Sequence, residues 1–174
     1  MSEVVIDLET RDTLLCSKVV SIGAVKLDFH RPFNTCIHSN FYIELDWFKQ
    51  TNRSRSKSTD EFWESKSQAV KAALDGKCSL FQGLWELDRY ISKGDVVWGN
   101  GSVFDIGILT HCYEQLNKNP PWHFRDVNDY RTIKRKYREK FSDLPYLDFE
   151  GTPHNALDDA RHEARLLHKM WNSL

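Results

Sequence analysis

Val4-Val5-Ile6-Asp7-Leu8-Glu9-Thr10 is an apolar run that ends in two acids. Residues 3–8 read as a short buried strand, because β-branched and aliphatic residues fill it without a helical period. Strand side chains alternate, so Asp7 and Glu9 share one face while Val4, Ile6 and Leu8 occupy the other. Two neighbouring carboxylates at the end of an apolar strand repel each other and lose hydration unless a cation pairs with them. The alternative is a strand end that has already reached water.

Outward from this strand, residues 19–29 and 41–45 are β-rich, and residues 51–58 form a polar, serine-rich loop. Helical periodicity covers residues 60–74 and 80–91. Gly94-Asp95 then punctuates before a short strand, Val96-Val97-Trp98. A helix is expected over residues 104–116, stopping before Pro120-Pro121, a basic helix over 127–140, and a last helix over 156–171. Three leading strands and a fourth among helices predict an α/β fold, a mixed sheet with helices on both faces. The 174 residues fit one domain, 1–174, with no internal repeat and no linker.

Composition narrows the function. Forty per cent apolar residues and six tryptophans mark a packed globule. No basic leader opens the chain and no apolar stretch approaches ~18 residues, so neither a signal peptide nor a membrane partner is expected. Cys16, Cys36, Cys78 and Cys112 are widely spaced, as free thiols in a cytoplasmic protein would be. A net charge of −1 supplies no global field for a polyanion, so binding to nucleic acid must rest on local patches or on metal.

Three further residues stand in awkward places. Asp105 falls on the centre line of the apolar stripe Ile108, Leu109, Cys112 and Leu116, and needs a partner there. The first turn of its own helix could provide one. In the last helix the stripe is Leu157, Ala160, Ala164, Leu167 and Trp171. Asp159 lies at its edge and Asp158 nearer the solvent side, so Asp159 is the better ligand candidate; His162 lies opposite and reads as a surface histidine. His154, in the turn before that helix, can lean toward Asp159. Acidic oxygen ligands without a cysteine suit Mg²⁺ or Mn²⁺ rather than zinc. Four acids are what a pair of cations requires to clamp both oxygens of a phosphoryl displacement.

These residues resemble a known family. Val5-Ile6-Asp7-Leu8-Glu9-Thr10 is similar to the first motif, Asp-x-Glu-Thr, of the DEDDh 3′–5′ exonucleases, the superfamily of RNase T, oligoribonuclease and polymerase proofreading subunits. Asn100-Gly101-Ser102-Val103-Phe104-Asp105 resembles the second, and His154-Asn155-Ala156-Leu157-Asp158-Asp159-Ala160 the third, His-x-Ala-x-x-Asp-Ala. The wording Trp98-Gly99-Asn100-Gly101 is closer to a compact phage and prophage group. The resemblance implies an RNase H-like fold, a five-stranded mixed sheet with the first strand central. It also implies that Asp7, Glu9 and Asp159 bind one metal, Asp7 and Asp105 the other, and His154 acts as general base. Two departures touch the loops: Arg11-Asp12 follows Thr10 where many relatives have a glycine two residues after the threonine, and the Asn100–Asp105 spacing is one residue longer than in RNase T.

The expected activity is therefore a metal-dependent 3′–5′ exonuclease, with single-stranded nucleic acid as partner and a homodimer left open. For substrate contact, Leu8, Thr10, Asn100 and Phe104 lie in the motifs, and Phe62-Trp63 offers rings for stacking, with core packing as the equal alternative. Arg53, Arg55 and Lys57, and the six basic residues from Arg131 to Lys140, can neutralise phosphates; for the second group a solvated helix face is the simpler reading. The alternatives are an endonuclease on the same fold and a non-catalytic nucleic-acid-binding or partner-docking module. His162-Glu163 begins like a zincin motif, but Leu166 stands where its second histidine belongs.

Overall fold

A computed structural model describes residues 2–174; Met1, counted above within the single domain, lies outside the described residues. Five strands form one mixed sheet: β1 (Glu3–Thr10), β2 (Val19–Leu27), β3 (Ile37–Glu44), β4 (Val96–Gly99) and β5 (Val127–Asp129), in the order β3-β2-β1-β4-β5. β2 is antiparallel to β1 and to β3, whereas β4 runs parallel to β1 and β5 to β4. The central strand is thus the one that carries Asp7 and Glu9.

Six α-helices complete the chain: α1 (Lys57–Glu64), α2 (Gln68–Lys71), α3 (Leu80–Tyr90), α4 (Asp105–Gln115), α5 (Tyr130–Phe141) and α6 (Ala156–Trp171). They lie on both faces of the sheet, as the RNase H-like expectation requires. Val4, Ile6 and Leu8 pack with Leu84 and Leu87 of α3 and with Ile108 and Leu109 of α4. On the other face Val5, Val25 and Leu27 meet Tyr130 of α5 and Ala160, Ala164 and Leu167 of α6. No helix among the described residues is long and apolar enough to cross a membrane.

Local structure departs from the sequence reading at three places. The basic helix is shorter than 127–140, because Val127–Asp129 pairs with Val97–Gly99 as an edge strand. Asp129 then caps α5 by accepting the Thr132 N–H at 3.0 Å. The helix expected over 60–74 divides into α1 and α2, and α1 begins inside the expected polar loop, where the Ser56 hydroxyl accepts the Thr59 N–H at 3.3 Å. On α6 it is Met170 that is buried, while Trp171 stays half exposed and stacks on Phe29 with centroids 4.7 Å apart.

One close approach positions the whole site. Gly23 of β2 pairs with Asp7, and a Cβ on it would overlap the Ala156 carbonyl and the Leu157 nitrogen at the start of α6. The first turn of α6 rests on the sheet backbone there. Ser21, two residues earlier on the same face and opposite Glu9, is also small and buried. Substitution of Gly23 by Ala forces α6 outward, and overpacking of this kind costs about 1–3 kcal/mol. The expected outcome is a lower midpoint in urea unfolding, with activity falling further than stability accounts for because Asp159 rides on α6. Wild-type activity and stability in Gly23→Ala would remove this contact from the account of the site.

Candidate active site

Strand β4 pairs with β1 only as far as Ile6 opposite Gly99, and then turns away at Asn100-Gly101. Beyond that point one edge of β1 is open, and α4 fills it. The Leu8 N–H donates to the Asp105 carboxylate at 3.3 Å, and Asp105 is only 3% exposed. The side-chain partner of Asp105 is therefore the central strand. Gly99 gives it room: a Cβ there would stand 3.2 Å from that of Asp105. The Leu8 side chain itself turns into the core.

From the face of the sheet, α6 presents Asp159. Asn155 caps the helix by accepting the Leu157 and Asp158 N–H groups at 3.1 and 3.2 Å. The preceding turn is bent back through Gly151, at φ 108°, and His154, at φ 66°. Two hydrogen bonds hold it: Thr152 N–H to Asp158 at 2.9 Å and His154 N–H to Asp159 at 2.8 Å. Asp158 is thus no free solvent-facing acid; it braces the loop that carries His154. Ligand atoms of Glu9, His154 and Asp159 come to lie within 4.8 Å of one another.

The electrostatics are those of buried carboxylates crowded together, with Lys66 near Glu9 and Arg131 near Asp105 offsetting only part of the cost. Burial holds the Asp7 carboxyl well above its ordinary range, and the charges of Glu163, Asp105, Glu9 and Asp159 add to this. Burial, then Asp159 and Asp105, push Glu9 up to about 8. Asp105 is pushed to about 7 by burial, against the Leu8, Asn100 and Asp105 N–H groups, and Asp159 to about 6, chiefly by burial. The His154 imidazole moves the other way, held below its ordinary value by burial and by the nearby Lys66 ammonium. Its ring is met edge-on by Phe62 at 5.1 Å, and Lys66 sits 4.0 Å over that same Phe62 ring.

The remaining sequence candidates separate. Phe62 is partly exposed beside His154, whereas Trp63 is 2% exposed and spends its indole N–H on the Thr10 carbonyl, so it is core and offers no stacking face. The Thr10 hydroxyl donates inward to the Asp12 carbonyl. Phe104 is half buried against the α3–α4 layer. Arg53 is buried, bonded to the Ser17 and Leu15 carbonyls and to Gln115, and Arg55 is paired with Asp60. Of that loop only Lys57 keeps a freely exposed cation, loosely opposite Glu61. Arg11, at the departure from motif one, is folded inward against Trp47 and Asp60. On α5, Arg135 and Lys136 face Glu139, while Arg131 and Lys134 reach Asn100 at 3.3 Å.

Two site residues escape the motif reading. Lys66 lies just past the C-terminal end of α1, four residues after Phe62, and reaches back over its ring. Glu163 follows Asp159 by four, hence on the same helix face; it is 8% exposed, and burial followed by Asp105 pushes it to about 8. All the acids here are oxygen donors, and their mutual repulsion without a cation is the condition a hard divalent metal relieves.

Comparison with known proteins bears on the family and the fold. Residues 2–171 match the family described as the 3′-5′ exoribonuclease Rv2179c-like domain. No curated protein matches the sequence. Among solved structures, the nuclease domain of 3′hExo, a DEDDh family member bound to rAMP, is 16% identical with a TM-score of 0.64 over 99% of this chain and 92% of that one. Cell-death related nuclease 4 is 16% identical with a TM-score of 0.70, over 98% of this chain and 64% of the other. Exonuclease I of E. coli, in a zinc-bound complex with ssDNA, is 12% identical with a TM-score of 0.67; this chain spans 99% of its own length and 40% of that enzyme's. At these identities the structural likeness speaks for the fold, and the family match over nearly the whole chain speaks for descent: the chain belongs to the Rv2179c-like family of 3′–5′ exoribonuclease domains.

Proposed function

We propose that the protein is a 3′–5′ exonuclease that removes nucleotides from single-stranded nucleic acid with two divalent cations, Mg²⁺ or Mn²⁺, in its acid cluster. The observation that carries this reading is the convergence of Glu9, His154 and Asp159 within 4.8 Å, with the half-buried Asp7 on the same strand face as Glu9. Asp7, Glu9 and Asp159 would hold one cation, and Asp7 with Asp105 the other. When bound, the cations supply positive charge to the phosphoryl oxygens and acidify the attacking water.

The chain's own residues do the rest. β1 and the first turn of α6 hold the acids on fixed backbone, so little reorganisation is needed when substrate arrives. His154, kept neutral by burial and Lys66, accepts a proton from the attacking water at a ring nitrogen. Lys66 beside Glu9 and Arg131 beside Asp105 place a cationic side chain at either end of the cluster, where successive phosphates of a strand would lie. Phe62 offers a ring edge next to His154 for the terminal base. The family's exoribonuclease description favours RNA as the strand.

The decisive assay follows short 5′-labelled RNA and DNA strands. Mononucleotide-step shortening from the 3′ end is expected with Mg²⁺ or Mn²⁺, none in chelator, and none for Asp7→Asn in either metal. Activity that survives chelation, or nicking of circular strands, would refute the proposal; inertness of the wild type in every metal would favour a non-catalytic binding module.

His154→Ala should lose on the order of 10²–10⁴-fold in turnover. It should still bind Mn²⁺ in a titration, since the acids supply most of the donor oxygens. Loss of Mn²⁺ binding in this variant would make His154 a ligand rather than a base.

The raised carboxyls also predict a pH dependence of stability with a definite sign. Their folded values, about 6 for Asp159, 7 for Asp105 and 8 for Glu9, exceed the ordinary carboxyl range of roughly 4. The folded state therefore holds protons that the unfolded chain releases, a contribution complete below about 4 and lost as pH rises through 6 to 8. In chelator, the melting temperature should fall between about pH 5.5 and 9. Mn²⁺, which binds the ionised acids, should lessen or reverse the fall. A chelated protein that melts higher at the alkaline end would contradict the clustering.

A further inference from the structure

Glu163 stands one helical turn beyond Asp159 on α6 and belongs to none of the three motifs. Its side chain is 8% exposed, which is rare for a glutamate without a partner for each oxygen. One oxygen, Oε1, accepts a hydrogen bond from the Asn100 amide. The other, Oε2, is buried and has no hydrogen-bond partner at all. An apolar or amide residue would fill this position at less cost, because a buried carboxylate oxygen with nothing to bind is strongly unfavourable.

The surroundings of that oxygen say what it lacks. The charge of Glu163 bears on Asp7 more heavily than that of Asp105, Glu9 or Asp159, so it is the strongest acidic neighbour of the residue at the centre of the cluster. Asp105 and Asp159 act on Glu163 in turn. Lys134 is a cation whose charge bears on Glu163, but its ammonium is hydrogen-bonded to the Asn100 carbonyl oxygen rather than to Glu163. Asn100 thereby has both ends engaged: its amide nitrogen on Glu163, its oxygen on Lys134 and Arg131.

We propose that Glu163 is a fifth carboxylate of the cation-binding centre, its free Oε2 serving the cation at Asp7 directly or through that cation's water, while Oε1 fixes Asn100 and, through it, the Arg131–Lys134 pair at the rim. This rests on the reading of the acid cluster as a divalent-cation site. It gives the chain a coupling that the motif residues alone do not provide: the oxygen that meets the cation and the amide that holds the rim belong to one side chain and its partner.

Mn²⁺ titration calorimetry at pH 9, where the cluster is ionised, tests it on wild type, Glu163→Gln and Asp7→Asn, with thermal melts of each in chelator. Glutamine keeps the shape and the acceptor for Asn100 but removes the charge. Glu163→Gln should weaken Mn²⁺ affinity about 10–100-fold and melt above wild type in chelator, since one of several clustered like charges is gone. A residue with only a structural role would give wild-type Mn²⁺ affinity in Glu163→Gln, and that result overturns the proposal. If Asp7→Asn loses Mn²⁺ while Glu163→Gln does not, the cation site stands and only this inference falls. If wild type itself binds no Mn²⁺, the underlying reading fails with it. Glu163→Ala, which also releases Asn100, should add a rise in KM for the strand; rescue of KM but not of Mn²⁺ affinity by glutamine is the expected split between the two oxygens.

Discussion

Repulsion among carboxylates is the constraint on which this structure turns. Asp7, Glu9, Asp105, Asp159 and Glu163 are brought from one strand and two helices into one cluster in which burial raises every one of them and the charges of the neighbouring acids add to this at Asp7, Glu9 and Glu163. Hydrogen bonds from Leu8, His154 and Asn100 and the nearby Lys66 and Arg131 offset only part of the cost of that arrangement. The arrangement is imposed by the apolar layers above and below the sheet, which bury Val4, Ile6 and Leu8 on one face and Val5, Val25 and Leu27 on the other. The hydrophobic gain of those layers is distributed over the whole domain, while the electrostatic cost is concentrated at one end of β1. On the proposed reading, that concentrated cost is what a divalent cation would relieve.

The same division explains the modest net charge. A chain at −1 overall attracts no polyanion at long range. Its useful cations are few and local: Lys66 beside Glu9 and His154, and Arg131 and Lys134 anchored on Asn100. Most of the other basic residues are engaged elsewhere, Arg53 with buried carbonyls, Arg55 and Arg11 with Asp60, and the middle of α5 with Glu139. The basic helix is thus in large part a solvated face, and only Arg131 and Lys134 near its start reach Asn100.

Much of this was legible in the residues, and what was not has physical reasons. The strand carrying Asp7 and Glu9 announces itself by alternation, and Asp105 by standing on an apolar stripe. β5 escapes notice because three residues cannot display a period of two, and because a strongly helical basic run follows directly. Arg53 reads as a surface cation since nothing in a serine-rich loop tells that its guanidinium will satisfy the Ser17 and Leu15 carbonyls. Trp63 and Phe62 are adjacent and alike in sequence, yet α1 turns one into the core and the other toward His154. Glu163 shares a helix face with Asp159, but whether that helix face meets the sheet or open water depends on how close α6 approaches β2, which is a tertiary fact.

That approach is made by main chain against main chain, at Gly23 and Ala156. Distances set by side-chain packing change whenever a core residue is exchanged, because neighbours relax into the new volume. A distance set by two backbones in contact has no such freedom. The spacing within the acid cluster is therefore insulated from the rest of the sequence. The core and the surface loops can drift over long evolutionary times, as relatives of 12–16% identity with the same fold illustrate, while the separation between the central strand and the helix bearing Asp159 is guarded by the absence of a single methyl group.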